Sequence, residues 1–436
     1  MTTTTASPLP FAPFQQAALP GADLPWLADL RRAGRDRFAA LGLPTPRNEA
    51  WKFTTLRPLE KLSFAPVPAD APAVPVDAIP AVAADSHRLV FVDGRFRPDL
   101  SRRQGLPAGV TLLSLGEALS TVPAQVEAML GRTAAVDGHA LLALNAAYLA
   151  DGVLLHVAKG VTVDRPIELV FLAAGGSADA PLAWHPRLLL ALEDNAEATL
   201  VEQHLGRDGA VYLSNVAAEV VAGPGARLHH YKLQEEGRDA FHLATLTTRL
   251  GRDATYDSFV LNLGARLARH EARSLLDGTG ITCRVSGAYA IAGSQHSDIT
   301  TLIDHAHPHC TSREVVKGVI GGQGRAVFQG KIIVRPDAQK TDGYQLNRAL
   351  LLSDTAEIDS KPELEIYADD VKCSHGATAG ELDDDQLFYL RARGLPLEQA
   401  RALLVAAFLD EAVDEVVSEP VREHFRSRIH AVLERR

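Results

Sequence analysis

Two short segments of the sequence combine residue types that bind transition metals. The first is Cys373-Ser374-His375, in which a thiol and an imidazole stand two residues apart. In an extended strand this spacing puts both side chains on one face, where both could ligate iron or zinc and the imidazole could lower the pKa of the thiol. Two ligands are too few for a closed site. From spacing alone, a buried thiol beside a surface histidine is the commoner arrangement.

The second segment runs from Asp304 to Cys310 and places three histidines at alternate positions before a cysteine. On a continuous strand His305, His307 and His309 would face the same way and could bind a divalent metal. Cys310 is a further candidate ligand. Pro308 interrupts strand pairing and favours a polar loop or strand end whose histidines only form hydrogen bonds. A metal-dependent enzyme that uses the three histidines on a β-helix stays open as an alternative.

The cysteines limit what the chain can hold alone. Cys283, Cys310 and Cys373 cannot all pair with one another, and none lies in a CxxC spacing, which excludes a disulfide framework and a Cys₄ zinc site. An autonomous iron–sulfur protein usually needs four thiolate ligands per cluster. Any cluster would therefore need ligands from another chain, and no cofactor is expected to stay bound to this chain alone. Reduced thiols indicate a cytoplasmic protein.

Length and charge exclude several other classes. The 436 residues, 46% hydrophobic and 22% charged, are typical of a soluble protein of two or three structural units. The net charge is −10 and the 44 lysines and arginines are scattered, so no nucleic-acid or anionic-membrane footprint is visible. The N-terminus has no signal-peptide pattern, and no run of eighteen apolar residues occurs. The sequence thus predicts neither a nucleic-acid nor a membrane partner.

The elements that position the two segments are mainly β. From about Leu141 to Ala368, short β-branched or alternating apolar runs are interrupted by Gly, Asp and Asn. A turn-then-strand signature recurs, with Ala196, Ala226 and Ala254 at steps of 30 and 28 residues and Ala326 and Ala356 again 30 apart. Such a period is typical of the coils of a β-helix, in which inward side chains stack into one long core. A β-sandwich with irregular hairpins is the alternative.

Helical patterns flank this region. Apolar spacing predicts a helix from Trp26 to a Gly42 cap, and after Ala379 three helices follow, the first capped near Asp383 and the last beginning at Pro420. The second carries an apolar stripe that includes Leu403, Leu404 and Phe408. We therefore expect an N-terminal helical and mixed region over 1–135, a β-helix core over 136–378 and a C-terminal helical domain over 379–436.

Several blocks together resemble the SufB/SufD family of iron–sulfur cluster assembly proteins. The likeness spans most of the chain and is carried by Arg47-Asn48-Glu49-Ala50-Trp51-Lys52-Phe53-Thr54, Ala143-Leu144-Asn145, Arg165-Pro166-Ile167, Lys317-Gly318-Val319-Ile320, Phe328-Gln329-Gly330-Lys331-Ile332, the stretch from Ala338 to Gln345, the stretch from Asn347 to Ser353, and above all Lys361 to Thr378. Because the chain lacks an N-terminal cysteine-rich motif and is shorter than the SufB pattern, the resemblance is to the SufD type.

This resemblance implies a right-handed parallel β-helix between helical ends. It also implies that the chain pairs with SufB through the β-helix core, that its C-terminal helices dock onto the ATPase SufC, and that it is a scaffold rather than an enzyme. A transient cluster would form at the SufB–SufD junction, where His375 matches a ligand-supplying histidine and Cys373 a nearby cysteine. A homodimer of the isolated chain stays open, and so does a SufB-like subunit that carries the cluster on its own thiols.

Overall fold

The computed structural model describes residues 10–68, 74 and 79–434. Within these residues the helices lie in two groups, one before and one after a long run of strands. The bounds are α1 (Pro25–Leu41), α2 (Arg57–Glu60), α3 (Leu115–Thr121), α4 (Pro123–Met129), α5 (Ala140–Tyr148), α6 (Asp384–Ala392), α7 (Leu397–Val413) and α8 (Glu419–Glu434), with short 3₁₀ turns at Ala12–Gln16, Glu49–Trp51 and Pro98–Leu100. None of the described helices is long and apolar enough to cross a lipid bilayer.

The strands of the described residues form two sheets. They are β1 (Ala65–Pro66), β2 (His87–Val92), β3 (Arg95–Phe96), β4 (Val110–Ser114), β5 (Gly152–Val157), β6 (Ile167–Ala173), β7 (Leu182–Trp184), β8 (Arg187–Leu192), β9 (Glu197–Gly206), β10 (Tyr212–Ala222), β11 (Arg227–Glu235), β12 (Phe241–Leu250), β13 (Thr255–Asn262), β14 (Leu267–Leu276), β15 (Thr282–Ile291), β16 (His296–His305), β17 (Thr311–Ile320), β18 (Arg325–Val334), β19 (Asp342–Leu351), β20 (Glu357–Ile366) and β21 (Lys372–Gly380).

From β8 onward, successive strands alternate between the two sheets, which confirms the predicted parallel β-helix. The β-helix has about seven coils. The first sheet has the order β20-β18-β16-β14-β12-β10-β8-β5-β4, and the second has β21-β19-β17-β15-β13-β11-β9-β6-β2-β3. Each strand from β8 onward pairs in parallel with the strand one coil away. Inward side chains consequently stack in columns, for example Leu228, Tyr256 and Cys283, which are all fully buried.

The recurring alanines mark the corners of the coils. Ala196, Ala226 and Ala254 are fully buried, and each backbone N–H donates to the carbonyl three residues earlier, which closes a tight turn before the next strand. Asn195 and Asp253 precede two of them with positive φ angles of 56° and 59°, a conformation that Asn and Asp tolerate better than most residues. The repeat therefore arises because each coil needs a small residue at the same corner.

Two details differ from the sequence-based expectations. The region expected to be β from about Leu141 begins with helix α5, whose residues are buried on nearly every side. A helix that is apolar all round has no amphipathic stripe to reveal it. The helix from Trp26 is confirmed as α1, and Gly42 follows it with a φ of 64°. The division at residues 135 and 378 stays a prediction.

The C-terminal helices fold back along the outside of the β-helix. Helix α7 packs on β15 and β17, and its buried Val405 and Leu409 join an apolar cluster with outward-facing residues of the second sheet. Helix α8 is held by Arg428, which forms two hydrogen bonds with the carboxylate of Glu235. The last strand of each sheet, β20 and β21, has no further strand beside it among the described residues.

Candidate functional site

Strand β21 is the outer edge of the second sheet and carries both residues of the Cys373-Ser374-His375 segment. In the pairing with β19, Cys373 lies beside Gly343 and His375 lies beside Gln345. Strand β20 is the corresponding edge of the first sheet. The two edges contact each other, so one end of the β-helix offers unpaired backbone groups from both sheets.

Cys373 faces the interior of this last coil. Its side chain is half-buried and packs in an apolar cluster with Ile332, Val334 and Leu364. Burial raises the pKa of the Cys373 thiol above its ordinary value. The expected activation of the thiol by a neighbouring imidazole is therefore absent in the isolated chain, and Cys373 is a thiol rather than a thiolate at neutral pH.

His375 is exposed although it belongs to the same row of side chains as Cys373. Alternation along β21 directs both residues to one face, and the neighbour Gln345 on β19 is fully buried. In every earlier coil the next coil covers this row, whereas no described strand covers it at β21. His375 thus presents its imidazole at a surface that a second chain could cover.

Behind His375 lies a buried polar pair that the sequence did not reveal. Gln345 donates from Nε2 to Oε2 of Glu314 at 2.5 Å, and both side chains are fully buried. Burial raises the pKa of Glu314 to about 7. Gly330 makes room for Gln345, because a Cβ at that position would lie 2.1 Å from the Gln345 amide nitrogen. The only sign of this pair in the sequence was a carboxylate, Glu314, directly before the apolar residues Val315 and Val316.

The four residues of the histidine-rich segment do not share a strand face. His305 ends β16, is fully buried and has its Nε2 2.8 Å from the Ser312 hydroxyl, while His309 sits in the following turn with a φ of 60°. His307 lies 3.3 Å from Asp277, and Cys310 is buried and donates from Sγ to the Gly278 carbonyl. Among the described residues no group of three or more His, Cys, Asp or Glu side chains is arranged to hold a metal ion.

This placement matches the loop interpretation that Pro308 favoured. Burial lowers the pKa of His305 to about 4, so its imidazole is neutral at physiological pH. Each residue of the segment has a separate local partner in a corner of the β-helix. The enzyme alternative built on His305, His307 and His309 therefore gains no support.

Part of the apolar stripe of α7 packs against the protein, and part of it is exposed to solvent. Leu403 is 49% exposed, whereas Leu404 and Phe408 are half-buried, and the Phe408 ring lies 5.1 Å below the Lys317 ammonium. The larger exposed side chains are Phe388 and Tyr389 of α6, at 74% and 57% exposure. Sequence reasoning missed these two, although a run of four apolar residues from Leu387 to Leu390 cannot all face one side of a short helix.

Comparison with known proteins identifies the family. A family model described as SUF system FeS cluster assembly, SufBD core domain, matches residues 173–408, and one described as SufBD protein N-terminal region matches residues 14–169. An iron–sulfur cluster assembly SufBD family protein of Synechocystis is 34% identical over 92% of this chain and 90% of its own length.

Two relatives carry the name iron–sulfur cluster assembly protein SufD. The Escherichia coli protein is 34% identical over 89% of both chains, and the Bacillus subtilis protein is 31% identical over 67% of both. The two family models together cover the N-terminal elements and the β-helix with its open end. The chain belongs to the SufBD family and has a role in iron–sulfur cluster assembly.

Proposed function

We propose that the chain is the non-catalytic, SufD-type scaffold subunit of a SufBCD complex and supplies part of a cluster-assembly site. The observation that carries this proposal is the open end of the β-helix. Within the described part of the chain both sheets finish in unpaired edge strands, and the last strand bears Cys373 and His375. Long uncovered edges are rare in stable proteins unless a partner pairs with them. A SufB β-helix that adds its own strands would bring its ligands against this row.

The ligand count supports a shared site. Cys283 and Cys310 are buried inside the coils, which leaves Cys373 as the accessible thiol of the chain. One thiol and one imidazole cannot hold a cluster alone, but they complete a site to which SufB adds thiolates. The same observation disfavours the SufB-like alternative, in which the chain would use several thiols of its own. Three free thiols also agree with a reducing, cytoplasmic compartment.

The edge can be tested by adding charge to it. Thr378 is exposed on β21, so Thr378→Lys places a charge where a partner strand would pair, and natural edge strands use lysine to block such pairing. We expect weaker co-purification with SufB. The matched control is Thr121→Lys, at the exposed end of α3, which contacts β4 and β5 at the opposite end of the first sheet. Undiminished association of Thr378→Lys with SufB would contradict pairing through this edge. If the isolated chain forms a homodimer and Thr378→Lys disrupts it, the homodimer uses the same edge.

The proposed SufC surface consists of Phe388, Tyr389 and Leu403. These apolar side chains are exposed on α6 and α7, and α7 packs on β15 and β17 at the side of the β-helix. Exposed aromatic residues are typical of interface anchors. The double change Phe388→Ala and Tyr389→Ala should weaken SufC binding in a pull-down while SufB binding is retained. Val417→Ala, at an exposed apolar residue between α7 and α8, is the control.

A further inference from the structure

Strand β19 carries a buried amide beside His375, and the oxygen of this amide has no partner. Gln345 is fully buried, and its Nε2 donates to Oε2 of Glu314 on β17 at 2.5 Å. The Oε1 atom of the same amide has no hydrogen-bond partner among the described residues. A buried acceptor without a donor costs free energy, so this oxygen would be stabilised by a donor on a neighbouring side chain.

The position of Glu314 determines which way this oxygen points. Glu314 on β17 and His375 on β21 both lie beside Gln345 in the register of the second sheet, with β19 between the other two strands. The nitrogen and the oxygen of a side-chain amide diverge from one carbon atom. Because the nitrogen faces Glu314 on β17, the oxygen points toward β21. The unpartnered acceptor is therefore directed at the position that His375 occupies.

The opposite sheet holds the amide in this orientation. A Cβ at Gly330 on β18 would lie 2.1 Å from Nε2 and 2.7 Å from Cδ of Gln345, so the amide rests directly against the backbone of Gly330. The ring of Phe328, which is fully buried, closes the same space, since its Cζ would lie 2.7 Å from that Cβ. An amide enclosed in this way, with its nitrogen bound to Glu314, is a fixed acceptor.

His375 is the side chain placed to donate to this acceptor. Neighbouring strands are about 4.8 Å apart, and side chains at paired positions stand on the same face of the sheet. His375 is exposed, so one ring nitrogen can turn inward to Gln345 while the other stays at the surface. Nδ1 is bonded to Cγ, close to the strand, whereas Nε2 is at the far side of the ring. Nδ1 is therefore the nitrogen that can reach Gln345.

A hydrogen bond at one ring nitrogen decides what the other nitrogen can do. When Nδ1 carries the proton of the neutral ring and donates it, Nε2 keeps a free lone pair and can ligate iron. Histidines that ligate metals almost always donate their second N–H to an oxygen acceptor, which fixes the tautomer and the orientation of the ring. When the proton is on Nε2 instead, that nitrogen cannot ligate. An acceptor behind His375 would thus prepare it as a ligand.

We propose that Gln345 is a positioning residue for His375: its Oε1 accepts a hydrogen bond from Nδ1 of His375 and leaves Nε2 free to ligate the nascent cluster. Glu314 anchors the Gln345 amide from the other side. The ligand role of His375 rests on the proposed function above. The hydrogen bond, in contrast, belongs to the chain alone and can be measured without a cluster.

The tautomer of His375 tests the hydrogen bond in the isolated full-length chain. Long-range proton–nitrogen NMR spectra of a chain labelled with ¹⁵N-histidine distinguish a proton on Nδ1 from a proton on Nε2. The signal that disappears in His375→Ala identifies the residue. We expect the proton on Nδ1 at pH 8, where imidazoles are mostly neutral. A His375 ring protonated mainly at Nε2 would overturn the proposal without the need for any variant of Gln345.

Two substitutions on β19 separate this contact from general packing. Gln345→Met keeps the length of the side chain and removes the acceptor, so the His375 proton should move to Nε2. Asn347→Leu removes another fully buried amide with an unpartnered oxygen, which lies beside Ala377 rather than beside a histidine. It should leave the proton on Nδ1. An unchanged tautomer in Gln345→Met, or the same shift in both variants, would overturn the proposal.

The consequence for cluster assembly is measured in the complex with SufB and SufC. Loss of such an acceptor weakens metal binding roughly 10–100-fold, so Gln345→Met should speed the loss of iron from the loaded complex to a chelator about tenfold or more. Asn347→Leu should not. If His375→Ala holds its cluster like the unaltered complex, the ligand role of His375 fails and the tautomer still decides the hydrogen bond. If His375→Ala loses its cluster while Gln345→Met holds it normally, only the role of Gln345 is overturned.

Discussion

Gln345 donates a hydrogen bond to Glu314 inside the β-helix, and Gln345 lies on the strand beside the one that carries His375. The pair puts a carboxyl group with a pKa of about 7 in the interior, one strand behind the row of side chains at the open end. Every coil before it is closed by the next one. The buried carboxyl therefore couples the interior of the scaffold to pH in the neutral range.

Replacing Glu314 with glutamine should change how stability depends on pH. Burial raises the pKa of this carboxyl from 4.5 to about 7, so the folded state keeps a proton that the unfolded state releases as pH rises above 4.5. The free energy of unfolding that this carboxyl removes therefore grows as pH rises from 4.5 and reaches its full value above pH 7. Relative to the unaltered chain, Glu314→Gln should gain on the order of 3 kcal/mol between pH 4.5 and pH 8.

Urea denaturation at both pH values measures this difference. Comparing each variant with itself across pH cancels any constant effect of the glutamine on packing. The control is Glu381→Gln, which makes the same change at an exposed position. If the free energies of unfolding of Glu314→Gln and the unaltered chain differ by the same amount at pH 4.5 and pH 8, Glu314 is ionised in the folded state and the prediction is wrong.

Acid should destabilise the protein through its buried histidines. Burial lowers the pKa of His305 from 6.5 to about 4, so between these values the unfolded state binds a proton that the folded state does not. Its contribution to stability is therefore complete above pH 6.5 and is lost as pH falls. At pH 5 the loss from His305 is on the order of 2 kcal/mol.

The variant His305→Gln removes this titration. Its free energy of unfolding should fall less steeply than that of the unaltered chain between pH 6.5 and pH 4.5, as measured by denaturant titration. His307→Gln is the matched control, because His307 is more exposed and lies in the same turn. Parallel pH profiles for His305→Gln and the unaltered chain would show that His305 is not neutral in the fold.

Trp51 connects the N-terminal region to the β-helix. The Arg269 guanidinium lies 4.2 Å from its ring and is also bonded to Asp298 and Glu271. Trp51→Ala leaves a cavity and uncovers this buried cation, so it should cost about 3–5 kcal/mol, with Trp51→Phe costing less. Thermal unfolding followed by circular dichroism measures both. A midpoint for Trp51→Ala equal to that of the unaltered chain would contradict this role.

Phe408 and Leu403 should behave differently although both belong to the apolar stripe of α7. Phe408 packs under Lys317, so Phe408→Ala should cost about 1–3 kcal/mol and should speed proteolysis of the C-terminal helices. Leu403 is exposed, and Leu403→Ala should change stability by less than about 0.5 kcal/mol. Equal stability losses in the two variants would contradict the division of the stripe into packed and exposed halves.

The periodic features of the chain could be predicted because each coil repeats one requirement. The corner alanines and the β-branched runs indicated the β-helix. Asp383 marked the N-cap of α6, and its side chain accepts hydrogen bonds from the backbone N–H groups of Asp385 and Gln386. Helix α5 could not be recognised, because burial on all sides removes the contrast between its faces. Phe388 and Tyr389 were missed because exposure depends on how α6 lies against its neighbours.

The candidate site was only partly visible in the sequence. The spacing of Cys373 and His375 indicated that both side chains lie on one face of a strand. Whether that strand is an edge strand depends on where the stack of coils ends, which the spacing does not show. Glu314 and Gln345 are 31 residues apart in sequence and meet only through the register of β17 with β19. Their contact needed the register of two coils, which spacing within one segment cannot supply.

The most direct test of the proposed role is cluster formation by the complex that contains His375→Ala. The chain would be co-expressed with SufB and SufC, purified anaerobically and loaded with iron and sulfide, and its cluster content read from visible absorbance and iron analysis. We expect an intact complex with much less cluster for His375→Ala and full loading for the neighbouring control Ser374→Ala. An intact His375→Ala complex that loads as much cluster as the unaltered one would contradict the proposal that His375 supplies a ligand.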